Sequence, residues 1–122
     1  MGYRTILKES QYIMVRASPK PSILVWYGDD TPEEVKRQIH RVLDKLSNES
    51  KYKDKIEFCV VNIDGDKDLN EVFRAMDPRH KLPTATSYFP YGASCSRVSN
   101  PTEEDLQKMA EELLCSCRNS LA

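Results

Sequence analysis

Continuous apolar runs mark the strands of this chain. Residues 23–27 are all apolar, and residues 56–63 form a second, nearly unbroken run. A run without polar alternation is typical of a strand that is buried on both faces, as in a parallel sheet. Shorter strand patterns occupy residues 5–7, 85–89 and 94–98, and the tight turn between the last two predicts an antiparallel hairpin.

Four other stretches space their apolar residues as helices do. The longest has one buried stripe, formed by Val35, Ile39, Val42, Leu43 and Leu46. A brief helix carries Tyr12, Ile13 and Val15, with Glu9 and Ser10 as its capping residues. Two further helices are predicted over residues 69–76 and from about residue 102, where Asn100 or Thr102 caps the last one.

The order of these elements is β-α-β-α-β-α-β-β-α. Alternating strands and helices require crossover connections and therefore a parallel core, to which the final hairpin adds antiparallel strands. We predict an α/β fold with a mixed central sheet between two helical layers, a three-layer sandwich. With 122 residues and no internal repeat, residues 1–122 are expected to form a single domain.

The start of the longest helix has a strong signal of its own. Residues 31–34 read Thr-Pro-Glu-Glu, a pattern typical of a capping box. We expect Thr31 at the N-cap, Pro32 at the first helical position, and Glu34 reaching back to the Thr31 backbone.

Charge excludes several classes of partner. Lys and Arg number 18 and Asp and Glu 19, so the net charge of −1 gives no field for nucleic acid or an anionic membrane. No apolar stretch approaches the ~20 residues that span a bilayer, and residues 1–4 lack the apolar run of a secretion signal. We expect a cytoplasmic protein, with the endoplasmic reticulum or secretion as the alternative if a signal peptide has been removed.

Cysteine spacing argues against a metal site and a dithiol centre. The four cysteines contain no Cys-x-x-Cys pair, and zinc would need closer ligands than His40 and His80 supply. Cys59 is interpreted as a packing residue. Cys115 and Cys117 follow the last apolar helical stripe, and either two free thiols, a labile redox pair, or pairing of one of them with Cys95 is possible.

Several landmarks along the chain resemble those of thioredoxins. Pro21 opens an apolar strand, residues 62–64 read Asn-Ile-Asp after the next, and residues 82–84 read Leu-Pro-Thr before a hairpin strand that ends near Gly92. The resemblance covers roughly residues 5 to 117. It implies a thioredoxin-like fold in which the peptide bond before Pro83 is cis.

The resemblance also locates what is missing. Counted from Pro21, the redox Cys-x-x-Cys of thioredoxins falls on residues 31–34, or on 30–33 with a shift of one, and no cysteine precedes Cys59. The chain is more similar to the non-catalytic thioredoxin-like domains of protein disulfide isomerases, on the strength of Asp64-Gly65-Asp66 followed by Asn70, Val72 and Phe73. Those domains bind unfolded polypeptide or hold their neighbours.

The resemblance implies a binding face where the helix start meets the loop before the cis-proline. We predict a redox-inactive module that binds a protein or extended peptide there. No cofactor is expected, and the sequence does not indicate an oligomeric state. The alternatives are an acidic helix start that is only well capped, and a Pro83 that only shapes its loop. The partner-binding residues are predicted to be Asp30, Thr31, Pro32, Glu33, His80, Leu82, Pro83 and Thr84.

Two other functions remain as alternatives. One is an atypical thiol-disulfide oxidoreductase or redox sensor that uses Cys115 and Cys117, with Cys95 as a third thiol. The other is glutathione-conjugating chemistry. The sequence supports this hypothesis only weakly, because it does not contain the second helical domain that such chemistry needs. Trp26 is expected in the core, and His40 at the boundary of the helical stripe.

Overall fold

The computed structural model of the protein describes residues 2–76 and 81–121, with side chains described up to residue 115. The strands are β1 (Tyr3–Ile6), β2 (Ser22–Tyr27), β3 (Glu57–Asn62), β4 (Thr84–Tyr88) and β5 (Ser94–Ser99). The helices are α1 (Glu9–Ala17), α2 (Glu33–Asn48), α3 (Lys67–Met76) and α4 (Glu103–Leu121), and a 3₁₀ turn spans Pro90–Gly92. Their order is the predicted one.

The five strands form one mixed sheet in the order β1-β3-β2-β4-β5. Strands β1, β3 and β2 are parallel, whereas β4 runs antiparallel to β2 and pairs with β5 as a hairpin. The central strand β2 is buried along its whole length, as its unbroken apolar run predicts. The carboxyl ends of β2 and β3 consequently lie side by side at one edge of the sheet.

Alternate residues of the strands face two separate cores. Ile23, Val25 and Phe58 face α2 and α4, whereas Leu24, Trp26 and Cys59 face α1 and α3. Trp26 is fully buried, as predicted, and its indole Nε1 donates a hydrogen bond to Thr86 Oγ1 at 2.9 Å. The sheet thus has a helical layer on each face.

The predicted capping box at the start of α2 is wrong. The helix begins at Glu33 with Pro32 in the N-cap position, and no side chain caps it. The Thr31 hydroxyl instead accepts a hydrogen bond from the Gly28 N–H at 3.2 Å, while the Thr31 N–H donates to the Gly28 carbonyl at 3.0 Å. The turn that leaves β2 therefore uses the side chain that would otherwise cap the helix.

Three other boundaries differ from the prediction. Strand β1 starts two residues earlier, and α1 is preceded by Lys8, where the Gln11 amide oxygen accepts the Leu7 N–H at 2.7 Å. Helix α4 continues to Leu121, so position 115 is helical and does not follow the helix end.

No helix in the described part of the chain is both long and apolar enough to cross a membrane.

Candidate functional site

The ends of β2 and β3 are joined by a polar network. The Asp64 carboxylate accepts the Asp29 N–H at 2.6 Å, and the Asn62 amide donates to Asp29 Oδ1 at 3.0 Å. Asn62 also accepts the Asp64 N–H at 2.9 Å. Gly28 leaves room for this network, because a Cβ there would lie 2.9 Å from Asp64 Oδ2 and 3.2 Å from Leu82 Cδ1. The start of α2 is thereby fixed relative to β3 and to the loop before β4.

A cleft of about 480 Å³ opens beside this network. We call it the α3-side cleft, because α3 forms one of its walls. The exposed residues Asp30, Asp64 and Arg74 border it. Its lining residues are Gly28, Asp30, Thr31, Pro32, Ile63, Asp64, Asn70, Phe73, Arg74 and Leu82.

A second cleft of about 340 Å³ lies between the first turns of α2 and the start of α4. We call it the α4-side cleft. Its walls are mainly apolar and include Val35, Ile39 and Leu106, with Pro83 and Pro101 at the loops. Leu82 lines the α3-side cleft and Pro83 lines the α4-side cleft, so the two clefts adjoin at this dipeptide.

One peptide bond in the loop before β4 has the geometry that the resemblance implies. The Leu82–Pro83 peptide bond is cis. The Pro83 carbonyl accepts the Asn100 N–H at 2.7 Å, which ties the loop to the start of α4. Leu82 is half-buried, precedes β4 and lines the α3-side cleft.

The predicted partner-binding residues do not all line one cleft. Asp30, Thr31, Pro32 and Leu82 share the α3-side cleft, and Pro83 faces the other cleft. Glu33 is exposed and pairs with Lys36 at 3.4 Å. His80 lies outside the described residues.

Thr84 has a structural place in the sheet. It is fully buried, it lies opposite Trp26 and Ser99 in the two neighbouring strands, and its hydroxyl donates to the Lys81 carbonyl. A partner on the surface therefore cannot contact its side chain.

Sequence reasoning missed six residues of the α3-side cleft, of which three, Asp64, Asn70 and Arg74, have polar side chains. Asp64 had been noted only as a landmark, Asn70 only in the resemblance, and Arg74 not at all. The signal that could have found them is positional, because ligands of open α/β sheets bind beyond the carboxyl ends of the strands. Asp64 follows β3 directly, and Asn70 and Arg74 lie one turn apart on the helix that comes next.

His40 is more than a boundary residue. Its Nδ1 lies 2.8 Å from the Tyr3 hydroxyl and its Nε2 lies 3.0 Å from the Tyr27 hydroxyl, so the ring connects β1, β2 and α2. Burial lowers the pKa of His40 and raises the pKa of Tyr27. Both shifts favour a neutral hydrogen-bonded chain at neutral pH.

The described cysteine side chains lie away from both clefts. Cys59 is fully buried in β3, and burial raises the pKa of its thiol to about 12. Cys95, on β5, donates to Glu112 Oε1 at 2.9 Å, and burial followed by this bond raises its pKa. Cys59, Cys95 and Cys115 are free thiols, and the side chain of Cys117 lies outside the described residues.

Neither a metal centre nor a disulfide is built into the part of the chain that the structure describes. No group of three or more His, Cys, Asp or Glu side chains in that part is placed to hold a metal ion.

Comparison with known proteins identifies the fold. The chain is similar to the thioredoxin of Malassezia sympodialis, with a TM-score of 0.72 and 18% identity over 92% of this chain and 93% of that one. Thioredoxin O2 of Arabidopsis thaliana in the oxidized state gives a TM-score of 0.70 at 19% identity, over 92% and 94% of the two chains. Plasmodium falciparum thioredoxin gives 0.69 at 14% identity, over 89% and 97%.

No protein-family model matches the sequence, and a comparison with curated proteins finds no similar chain. The structural likeness, at identities below one fifth, is a likeness of fold. The protein therefore has a thioredoxin-like fold, as the order of its elements and its landmarks predicted.

Proposed function

We propose that this protein is a redox-inactive binding or adaptor module that holds an extended segment of a partner protein across the Leu82–Pro83 dipeptide. The observation that carries the proposal is the pair of clefts that adjoin there, one bordered by carboxylates and one lined mainly by apolar side chains. An extended peptide points successive side chains to opposite sides. A segment that crosses the dipeptide would thus place one side chain in each cleft.

The backbone around this dipeptide supports the same mode of binding. Extended peptides commonly bind by pairing their main chain with exposed backbone groups of the receptor, while pockets select alternate side chains. Leu82 precedes β4 and lines a cleft, whereas the Pro83 carbonyl already has Asn100 as its partner. We infer that main-chain pairing occurs at Leu82.

The redox-inactive part of the proposal rests on where the thiols are. The segment that the resemblance assigns to the thioredoxin Cys-x-x-Cys, residues 31–34 or 30–33, contains no cysteine, and no cysteine side chain among residues 2–76 and 81–115 lines either cleft. The thiolate is the nucleophile of disulfide exchange, and raised pKa values keep Cys59 and Cys95 protonated. We propose in addition that the protein has a role similar to that of the non-catalytic domains of protein disulfide isomerases. We also propose that it lies in the cytoplasm.

The binding function is tested with an unfolded polypeptide as the probe. Reduced, carboxymethylated lactalbumin is titrated into the isotope-labelled protein, and amide chemical shifts are followed by NMR. We expect shifts at Asp30, Thr31 and Leu82 and weaker binding in Asp30→Lys. The control Glu71→Lys, which makes the same charge change on an exposed position outside both clefts, should bind as the parent does. Shifts confined to other surfaces would overturn the proposal.

Thiol chemistry is tested separately by reduction of insulin with dithiothreitol as the electron donor. We expect no turnover above the rate with dithiothreitol alone. Turnover that disappears in Cys115→Ser or Cys117→Ser would contradict the redox-inactive proposal and restore the oxidoreductase alternative.

A further inference from the structure

Helix α3 contributes two polar residues to the α3-side cleft whose side chains are not engaged elsewhere. Asn70 is half-buried and Arg74 is exposed, and both line the cleft. Among the residues that the structure describes, none hydrogen-bonds to the Asn70 side-chain amide, and none pairs with the Arg74 guanidinium. Both side chains are therefore available to a ligand.

The other polar side chains of this cleft offer less to a ligand. The Thr31 hydroxyl and the Asp64 carboxylate already accept backbone N–H groups of the turn that follows β2. Asp30 and Asp64 are acidic and Arg74 is basic, so the charges that line the cleft have both signs. A ligand group that is polar but uncharged, as a peptide main chain is, faces none of them with a like charge.

The spacing of Asn70 and Arg74 resembles the repeat of an extended peptide. Residues four apart on a helix lie on the same face, about 6 Å apart along the axis. Alternate residues of an extended chain are about 6.6–6.8 Å apart and direct their N–H and C=O groups to the same edge. Two alternate residues of one peptide can thus each meet one of these two side chains.

The chemistry of both side chains suits main-chain groups. An asparagine side chain has the same hydrogen-bonding groups as a peptide bond, an N–H donor and a C=O acceptor. Asn70 can therefore donate to a carbonyl and accept an N–H of the same extended chain. Arg74 has donors only, and these suit the carbonyl of a residue two positions further along.

Leu82 accounts for the other edge of such a peptide. It lines the same cleft, and neither its N–H nor its carbonyl has a hydrogen-bond partner in the described part of the chain. A peptide residue that pairs with Leu82 uses both of its main-chain groups there, and its two neighbours direct theirs to the opposite edge. Those two neighbours are alternate residues, which is the spacing that Asn70 and Arg74 fit.

We propose that Asn70 and Arg74 hold the main chain of the bound segment, so that the α3-side cleft selects an extended, unpaired polypeptide rather than a particular side chain. This inference rests on the proposed binding of an extended segment at Leu82. It makes unfolded polypeptides of varied sequence the ligand class of this cleft, because their main-chain groups are free on both edges. A strand that is already paired within a folded sheet does not qualify.

The test uses two unfolded probes that differ in charge, reduced lactalbumin with its cysteines either carboxymethylated or aminoethylated. Affinity is measured by NMR titration of the isotope-labelled protein. We expect Asn70→Ala to weaken the binding of both probes about fivefold to tenfold, as the loss of one or two hydrogen bonds should. Arg74→Ala should weaken both probes as well. Asn48→Ala and Arg37→Ala, the same changes at exposed positions outside both clefts, should bind as the parent does.

The outcomes separate this proposal from the proposed function. If Arg74→Ala weakens only the carboxymethylated probe, the cleft recognises an acidic side chain and the proposal is overturned. It is also overturned if both variants keep the parent affinity for both probes while the Leu82 amide still shifts, and the proposed function then stands. If neither probe shifts Asp30, Thr31 or Leu82 in the parent, the proposed function fails, and this proposal fails with it.

Discussion

The two halves of the predicted binding face are built in different ways. The start of α2 is exposed apart from buried Thr31, and it is held by hydrogen bonds among Asp29, Asn62 and Asp64 at the ends of two parallel strands. The loop before β4 becomes buried within three residues, from half-buried Leu82 to fully buried Thr84. The first half can therefore change its chemistry without loss of the fold, and the second half cannot.

The difference indicates which half of the proposed binding face can vary in sequence. Thr31, Pro32 and Glu33 occupy the positions that the resemblance assigns to the thiol motif, and the turn before them is held by the backbone and hydroxyl of Thr31 and by the carboxylate of Asp64, just after β3. Pro83 and Thr84, in contrast, belong to the loop and strand that build the sheet. Four substitutions or measurements test this account, beginning with the largest effect.

Thr84→Arg should prevent folding. The side chain at this position is fully buried between two neighbouring strands, and a charge placed there costs more than about 4 kcal/mol, a large part of the stability of a small domain. Asp30→Lys, on the exposed half, should change the free energy of unfolding by only about 0.5 kcal/mol. Circular dichroism should show no cooperative urea transition for Thr84→Arg and a transition close to that of the parent for Asp30→Lys. A cooperative transition of Thr84→Arg with a midpoint like that of Asp30→Lys would remove the distinction between the halves.

Gly28→Ala should destabilise the protein by crowding both halves at once. The added Cβ would lie 2.9 Å from Asp64 Oδ2 and 3.2 Å from Leu82 Cδ1, and overpacking of this kind costs about 1–3 kcal/mol. Asp64→Ala removes one of the two obstacles. In the double variant we therefore expect a smaller penalty than the sum of the two single penalties, by at least about 0.5 kcal/mol. Strict additivity in urea unfolding would show that Gly28 does not couple the network to the loop.

Acid should weaken the anchor of α2 at His40. Burial lowers the pKa of His40 in the folded protein, so the unfolded chain binds this proton more readily. The neutral His40 ring therefore contributes fully to the stability of the fold above about pH 6.5, the pKa of histidine in the unfolded chain. This contribution is lost as the pH falls below that value. Urea unfolding at pH 7.5 and 5.5 measures the loss, which His40→Gln should reduce. A His40 ring that titrates by NMR at or above the ordinary histidine pKa would contradict this sign.

The smallest effect concerns the thiols, and it leaves stability unchanged. In the Cys117→Ser background, iodoacetamide should modify exposed Cys115 in the folded protein, whereas Cys59 should react only after unfolding. Mass spectrometry of the peptides measures the extent at each position. Rapid modification of Cys59 in the native state would mean that β3 opens readily, and the rigid frame assigned to the two strand ends would be wrong.

Local pattern was enough to predict the frame of this molecule. The unbroken apolar runs of β2 and β3 identify strands buried on both faces, and the stripe from Val35 to Leu46 identifies α2. The start of α2 was predicted within one residue, but its hydrogen bonds were not. The Thr31 hydroxyl had a competing partner in the Gly28 N–H, three residues back, which a capping pattern does not reveal.

The site depends on contacts between distant parts of the chain, and these were harder to predict. The His40 ring forms hydrogen bonds with Tyr3, which is 37 residues away, and with Tyr27, which is 13 residues away. Nothing near His40 in the sequence indicates either partner. Asp64 and Leu82 meet across Gly28 only because strand order places β2 between β3 and β4. The burial of Thr84 likewise follows from its two neighbouring strands rather than from its own sequence context.

The position of Trp26 gives the protein a built-in optical reporter. It is the only tryptophan of the chain, and its ring lies edge-to-face with Tyr12, on the inner side of α1, at 5.4 Å between centroids. Its emission should be that of an indole shielded from water and should shift to longer wavelength when the layer of α1 and α3 separates from the sheet.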